Sequence, residues 1–234
     1  MKIFKVAKQA NGHIFNINDH DLYAKLWFDI CIWYWLEADI KSMNKVKFYV
    51  DLENGPEQEI MDFMRFGIEF VIHINDKTEK LLPYFQNAWQ VIPLNMLKWK
   101  PFDDLKCNIF NITHIVDCFN EEKSECDYHP NSIKILTIKN YVFNENSIPE
   151  WTWFFSIPNR KVKNVLLVTG TEKPEEDFYF LYHKLWMTGL KFKEIYRSSW
   201  EKDYDLEWTI EAMDRGEELE NPLFKKGIFW RLFS

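Results

Sequence analysis

The chain has 234 residues, 47% hydrophobic and 28% charged, a balance that belongs to folded globular proteins rather than disordered ones. That length suits one large domain or two small ones, and it can bury a substantial core without disulfide help. A net charge of −7 argues against nucleic-acid binding, and four cysteines are too few for a disulfide framework.

The opening "MKIFKVAKQANGHIFNIND" has no long apolar run and no small-residue cleavage site, so no signal peptide is expected. The alternation in "KIFKVAK" (2–8) predicts a strand. "DHDLYAKLWFDICIWYWLEADIKS" (19–42) begins with acidic residues and predicts a mostly buried helix. Its most apolar part, "LWFDICIWYWL" (26–36), is too short to span a bilayer and contains Asp29. "VKFYVDL" (46–52) predicts a strand, and "ENGP" a turn. "PEQEIMDFMRFG" predicts a helix, with Pro56 near its start and Gly67 at its end.

Two strand–helix–strand units follow. In the first, "IEFVIHI" (68–74) is a strand, Asn75 caps the helix "DKTEKLLPYFQNA", and "WQVIPLN" (89–95) is extended. In the second, "VKNVLLVTG" (162–170), "PEEDFYFLYHKLWMTG" (174–189) and "LKFKEIYRS" (190–198) repeat that order, with Gly189 expected to stop the helix. Strand-like runs lie between them at 107–118, 132–143 and 152–157. The expected class is α+β: mixed, mainly antiparallel sheets with packed helices.

Motifs for chemistry are sparse. The seven glycines are too far apart for GxGxxG or GxxxxGK[ST] loops, and no GxSxG elbow or HExxH helix occurs. The densest reactive cluster is "HIVDCFNEEKSECDYHP" (114–130), with His114, Asp117, Cys118, Cys126, Asp127 and His129. Cys118, Cys126 and His129 give C-x7-C-x2-H, which lacks the tight knuckle of structural zinc. A thiol- or metal-dependent hydrolase using Cys118 or Cys126 with His114 or His129 is the enzymatic alternative. The plainer reading is a strand running into a polar loop. Cys107 and Cys118 then act as small hydrophobes, and Asp117 and Ser124 tie down backbone. His73 and His183 fall at a strand end and inside a helix, as ordinary structural residues.

Residues 200–220, "WEKDYDLEWTIEAMDRGEELE", carry nine acidic residues against two basic, an excess equal to the net charge of the whole chain. Within it Tyr204 and Trp208 would share one face of a helix. An aromatic pair in an acidic stripe suits a basic protein partner. The candidate contact residues are Tyr204, Asp205, Glu207, Trp208, Glu211, Asp214, Glu217, Glu218 and Glu220. The competing reading packs Trp208 and Met213 on the body and leaves the acids solvated.

The order of motifs from "FVIHINDKTEKLLPYF" to "FLYHKLWMTGLKFKEIYRS" resembles the Imm11-like (DUF1629) family. The matching positions are Asn111, Val116, Asp117, Cys118, Ser124, Phe155, Ile157, Thr188, Gly189, Leu190, Lys191 and Phe192. The resemblance covers about residues 68–197. It implies an immunity protein of a bacterial polymorphic toxin or type VI secretion system, which binds a toxin and blocks it. It also implies no catalysis, no cofactor and a cytoplasmic location, in keeping with the few cysteines. The partner expected is a cognate toxin, possibly a basic, nuclease-like domain, with no direct contact to nucleic acid or membrane. The expected organisation is an N-terminal α/β part (1–67), the family-like core (68–197) and an acidic extension (198–234).

Overall fold

The computed structural model describes residues 1–8, 14–17, 48–51, 61–66, 69–86, 88–93, 106–131, 135–158, 164–170, 176–199, 210–211 and 214–215. Among them two larger sheets and one hairpin carry the fold. The strands are β1 (Lys2–Lys8), β2 (Ile14–Ile17), β3 (Phe48–Asp51), β4 (Phe63–Phe66), β5 (Glu69–His73) and β6 (Trp89–Pro93). They continue with β7 (Cys107–Ile112), β8 (Glu125–Tyr128), β9 (Ile135–Asn140), β10 (Phe154–Phe155), β11 (Val165–Thr169) and β12 (Leu190–Arg197). The α-helices with both ends among the described residues are α1 (Asp76–Glu79) and α2 (Phe178–Lys184).

One sheet has the order β10-β11-β1-β12 and the other β3-β2-β4-β5-β7-β6. Pairing between the named strands is antiparallel except for the β2–β4 register at Ile14 and Arg65. The fold is therefore mainly β, not a balanced α+β: among the described residues the helical stretches are short and the strands carry the core. The expected mainly antiparallel pairing is present.

The two strand–helix–strand units both form, with one feature in common. Neither unit pairs its own two strands. β7 lies between β5 and β6, antiparallel to both. β1 lies between β11 and β12 in the same way. Each unit is thus a pair of like-directed strands held apart by a third strand from elsewhere in the chain. β1 and β4 lie in the expected N-terminal part, yet β1 is an inner strand of one sheet and β4 pairs with β5 in the other.

Alternation explains why β10 and β11 read as near-continuous apolar runs, and why adjacent Ile3 and Phe4 of β1 are both apolar. Successive side chains point to opposite faces, so a strand buried on both sides needs apolar residues throughout. Phe4, Val6, Phe154, Val165 and Leu167 enter one core with Phe63, Phe85, Trp89, Phe110 and Phe178. Ile3, Phe155 and Leu166 enter a second core with Val116, Cys118, Tyr141 and Phe143. The sheet is the wall between the two.

Three expected elements differ in detail. The helix expected up to Gly67 gives way, over 63–66, to β4. Phe63 and Met64 are adjacent yet both buried, as a strand with two covered faces requires. The helix after Asn75 is one turn long. Asn75 caps it, as the sequence predicts, and the structure adds a reciprocal capping box with Thr78. It then tightens into a 3-10 turn over Leu82–Tyr84, because Pro83 has no N–H to continue the helical ladder and its ring would crowd the preceding turn. α2 starts later than Pro174, with the Asp177 side chain accepting from the Tyr179 N–H at 2.8 Å. It stops before Gly189. Trp186 turns left-handed with φ 52°, its N–H donates to the His183 carbonyl at 3.0 Å, and the Met187 N–H reaches the Tyr182 carbonyl at 3.1 Å. That is a Schellman closure with tryptophan where glycine is usual. The expected helix at 19–42 lies outside the described residues. Among the described residues no helix is long and apolar enough to cross a membrane.

Candidate functional site

The reactive-looking stretch at 114–130 is dispersed by the fold. His114 follows β7, and its ring lies 4.9 Å from that of Trp151. Its Nε2 stands 3.4 Å from the Thr152 hydroxyl. Burial lowers its pKa from the ordinary value of 6.5. Cys118 is wholly buried in the second core, and burial pushes its thiol up to about 12. Burial does the same to Cys107. A nucleophilic cysteine needs its thiolate near neutral pH, and these environments oppose it.

Cys126, Asp127 and His129 sit apart, on or beside the β8–β9 hairpin. Burial first, and the Glu121 charge second, raise the Cys126 pKa. Asp127 is paired with Lys139 at 2.8 Å. His129 is exposed, and its Nδ1 accepts from the Asn131 N–H at 3.3 Å. Among the described residues no group of three or more His, Cys, Asp or Glu is arranged to hold a metal. Asp117 is exposed. Ser124 ties the loop: its hydroxyl donates to the Asn120 carbonyl at 2.6 Å and accepts from the Val142 N–H at 2.9 Å.

The residues that carried the family resemblance are largely architectural. Val116, Cys118, Phe155 and Ile157 share the second core. Asn111 donates across the β6–β7 ladder to Gln90 at 3.2 Å. Leu190 and Phe192 belong to or pack against the first core. Thr188 and Gly189 dock on Asp62 and Phe63. The Asp62 carboxylate accepts from the Thr188 N–H at 3.0 Å and from Asn75 Nδ2 at 3.0 Å. A side chain at Gly189, whose φ is 100°, would overlap the Phe63 carbonyl.

A concave surface lies at the C-terminal end of α2. A pocket of about 550 Å³ is lined by His183, Trp186, Met187, Thr188, Ile210, Glu211 and Asp214. Trp186 is 83% exposed at its rim, the most exposed large hydrophobic side chain among the described residues. Glu211 is 3.6 Å from Arg215, and Asp214 is 3.1 Å from Lys184. The latter pair joins the acidic segment to α2. His183 Nε2 is buried with no hydrogen-bond partner, and burial lowers the pKa of the ring.

Of the nine expected contact residues, Glu211 and Asp214 line this pocket. Tyr204, Asp205, Glu207, Trp208, Glu217, Glu218 and Glu220 lie outside the described residues. Sequence reasoning missed His183, Trp186, Met187 and Ile210. One local signal existed: the "LWMTG" ending puts a tryptophan close behind a helix, where glycine or asparagine is favoured. No protein-family model matches the chain, and no curated protein matches it.

Proposed function

We propose that the chain is an immunity-type inhibitor, a cytoplasmic protein that binds a cognate bacterial toxin and neutralises it without catalysis or a cofactor. The observation that carries this reading is the exposed Trp186 beside Glu211 and Asp214 in one pocket. A large aromatic left in water costs solvation free energy that contact with a partner recovers. Acidic residues around it steer a basic partner and raise the association rate, as a phosphate-binding nuclease domain would require. The resemblance to the Imm11-like family points the same way. In this reading residues 68–197 supply the scaffold, and the acidic extension from 198 onward supplies charge.

The test is co-expression with the toxin domain encoded by the neighbouring gene, scored by growth and by co-purification. Protection with a stable complex is the expected result. Failure to bind or protect against that domain overturns the reading.

A further inference from the structure

We propose that the pocket between the Schellman turn of α2 and Ile210, Glu211 and Asp214 is a socket for one arginine side chain of a protein partner. Trp186 is its stacking plate, and Glu211 and Asp214 take the guanidinium. The proposal rests on the inhibitor reading and names the chemistry of its contact.

Three independent features converge on this occupant. The first is Trp186 itself. A bulky side chain at φ 52° is held in a conformation that L residues avoid, at a cost of roughly 1–2 kcal/mol. The turn could close with glycine at no such cost. What the tryptophan adds is an exposed aromatic face at the pocket rim. A guanidinium over an indole face is the most favourable of the common cation–π pairs.

The second is the pair of carboxylates. Each already attracts a cation of this chain, Lys184 at Asp214 and Arg215 at Glu211, so the rim is built to hold positive charge. Both pairs are partly exposed, and such pairs contribute about 0–1 kcal/mol, so an incoming guanidinium can exchange with them at small cost. The Glu211–Arg215 separation of 3.6 Å is longer than a charge-assisted hydrogen bond. Arginine fits better than lysine, because its planar fork can stack on the indole and reach two carboxylates together, and because it is less strongly hydrated.

The third is the floor. Met187 is buried and Ile210 half-buried at the base of the pocket, and these apolar side chains suit the methylene stem of an arginine.

The test uses the full chain labelled with 5-fluorotryptophan, with the Trp186 resonance identified by its loss in Trp186→Phe. The probe is the peptide Ac-Gly-Ser-Arg-Ser-Gly-amide, compared with lysine and citrulline versions at low salt. The arginine peptide should shift the Trp186 resonance saturably, the lysine peptide should bind about three- to tenfold more weakly, and the citrulline peptide should not bind. Calorimetric titrations with Trp186→Ala, Glu211→Gln and Asp214→Asn should each show at least a severalfold loss. No shift with the arginine peptide, equal binding of lysine or citrulline, or unchanged affinity in Trp186→Ala would overturn the proposal. If the neighbouring toxin binds with the same affinity to Trp186→Ala, the socket fails and the inhibitor reading stands. If the arginine peptide binds while the toxin does not, the reverse holds.

Discussion

Thr188 donates its backbone N–H to the Asp62 carboxylate at 3.0 Å, and its hydroxyl accepts the Asp62 N–H at 3.1 Å, across 126 residues of sequence. The same carboxylate holds Asn75, the cap of α1. One side chain therefore joins β4, the start of α1 and the turn that enters β12. Removing it in Asp62→Ala strands a partly buried N–H and should cost about 1.5–3 kcal/mol in urea unfolding. A loss below about 0.5 kcal/mol would show that water replaces the carboxylate.

Gly189 and Trp186 both have positive φ, but substitution should have opposite effects at the two. In Gly189→Ala the new methyl meets backbone of Phe63 rather than a movable side chain. A loss of about 2–4 kcal/mol is expected, measured from the midpoint of chemical unfolding.

Trp186→Gly should do the reverse. The side chain is largely in water and little packing is lost, while the left-handed turn is relieved. A gain of about 1 kcal/mol in stability is expected, together, on the proposed inhibitor reading, with weaker binding of the toxin. A variant that is both less stable and undiminished in binding would make Trp186 a packing residue.

Stability should fall on mild acidification. Burial lowers the pKa of His73, His114 and His183 below the ordinary 6.5, with the Asp62 charge partly offsetting this at His73. Between the folded and unfolded values the unfolded chain binds more protons, so stability rises with pH. The contribution is full above the unfolded value near 6.5 and is lost as pH falls through the folded values. Thermal melts from pH 7.5 to 5, about one unit either side of the free imidazole value, should show the drop, and His183→Gln should flatten it. A midpoint that is flat or rises on acidification would contradict this account.

Cys118 separates a structural thiol from a catalytic one. On the proposed inhibitor reading, Cys118→Ala should keep toxin neutralisation at a small cost in stability. Cys118→Ser, which buries a hydroxyl in an apolar core, should cost about 1–3 kcal/mol. Loss of function in Cys118→Ala with unchanged stability would revive the hydrolase alternative. So would a stoichiometric zinc in the purified protein that disappears in Cys126→Ser.

Much of the strand content was legible because periodicity and apolar runs report burial directly. "KIFKVAK", "VLLVT" and "LKFKEIYR" form strands where their patterns place them. The Asn75 cap was legible because Asn75 and Thr78 satisfy each other locally. Helix ends were not. Pro83 cuts α1 short, and the closure of α2 falls on a residue type that usually avoids left-handed geometry. β4 was misread because acidic residues and a glycine mimic helix punctuation, while its pairing with β5 is a tertiary matter. The pocket was half legible. Charge density marked Glu211 and Asp214, but the approach of Trp186 and His183 from 25 or more residues upstream leaves no trace in local composition.

The placement of β1 between β11 and β12 bears on how the chain reaches its native state. Lys2 stands opposite Thr169 on one side and Arg197 on the other, so an inner strand must wait for partners made far later. The β4–β5–β7–β6 region, whose pairings span short stretches of chain, can close first. The β1 sheet is the slow, high-contact-order step. Until it closes, the alternating face of β1 is an open edge, and trimming those few residues would leave β11 and β12 without the strand that joins them.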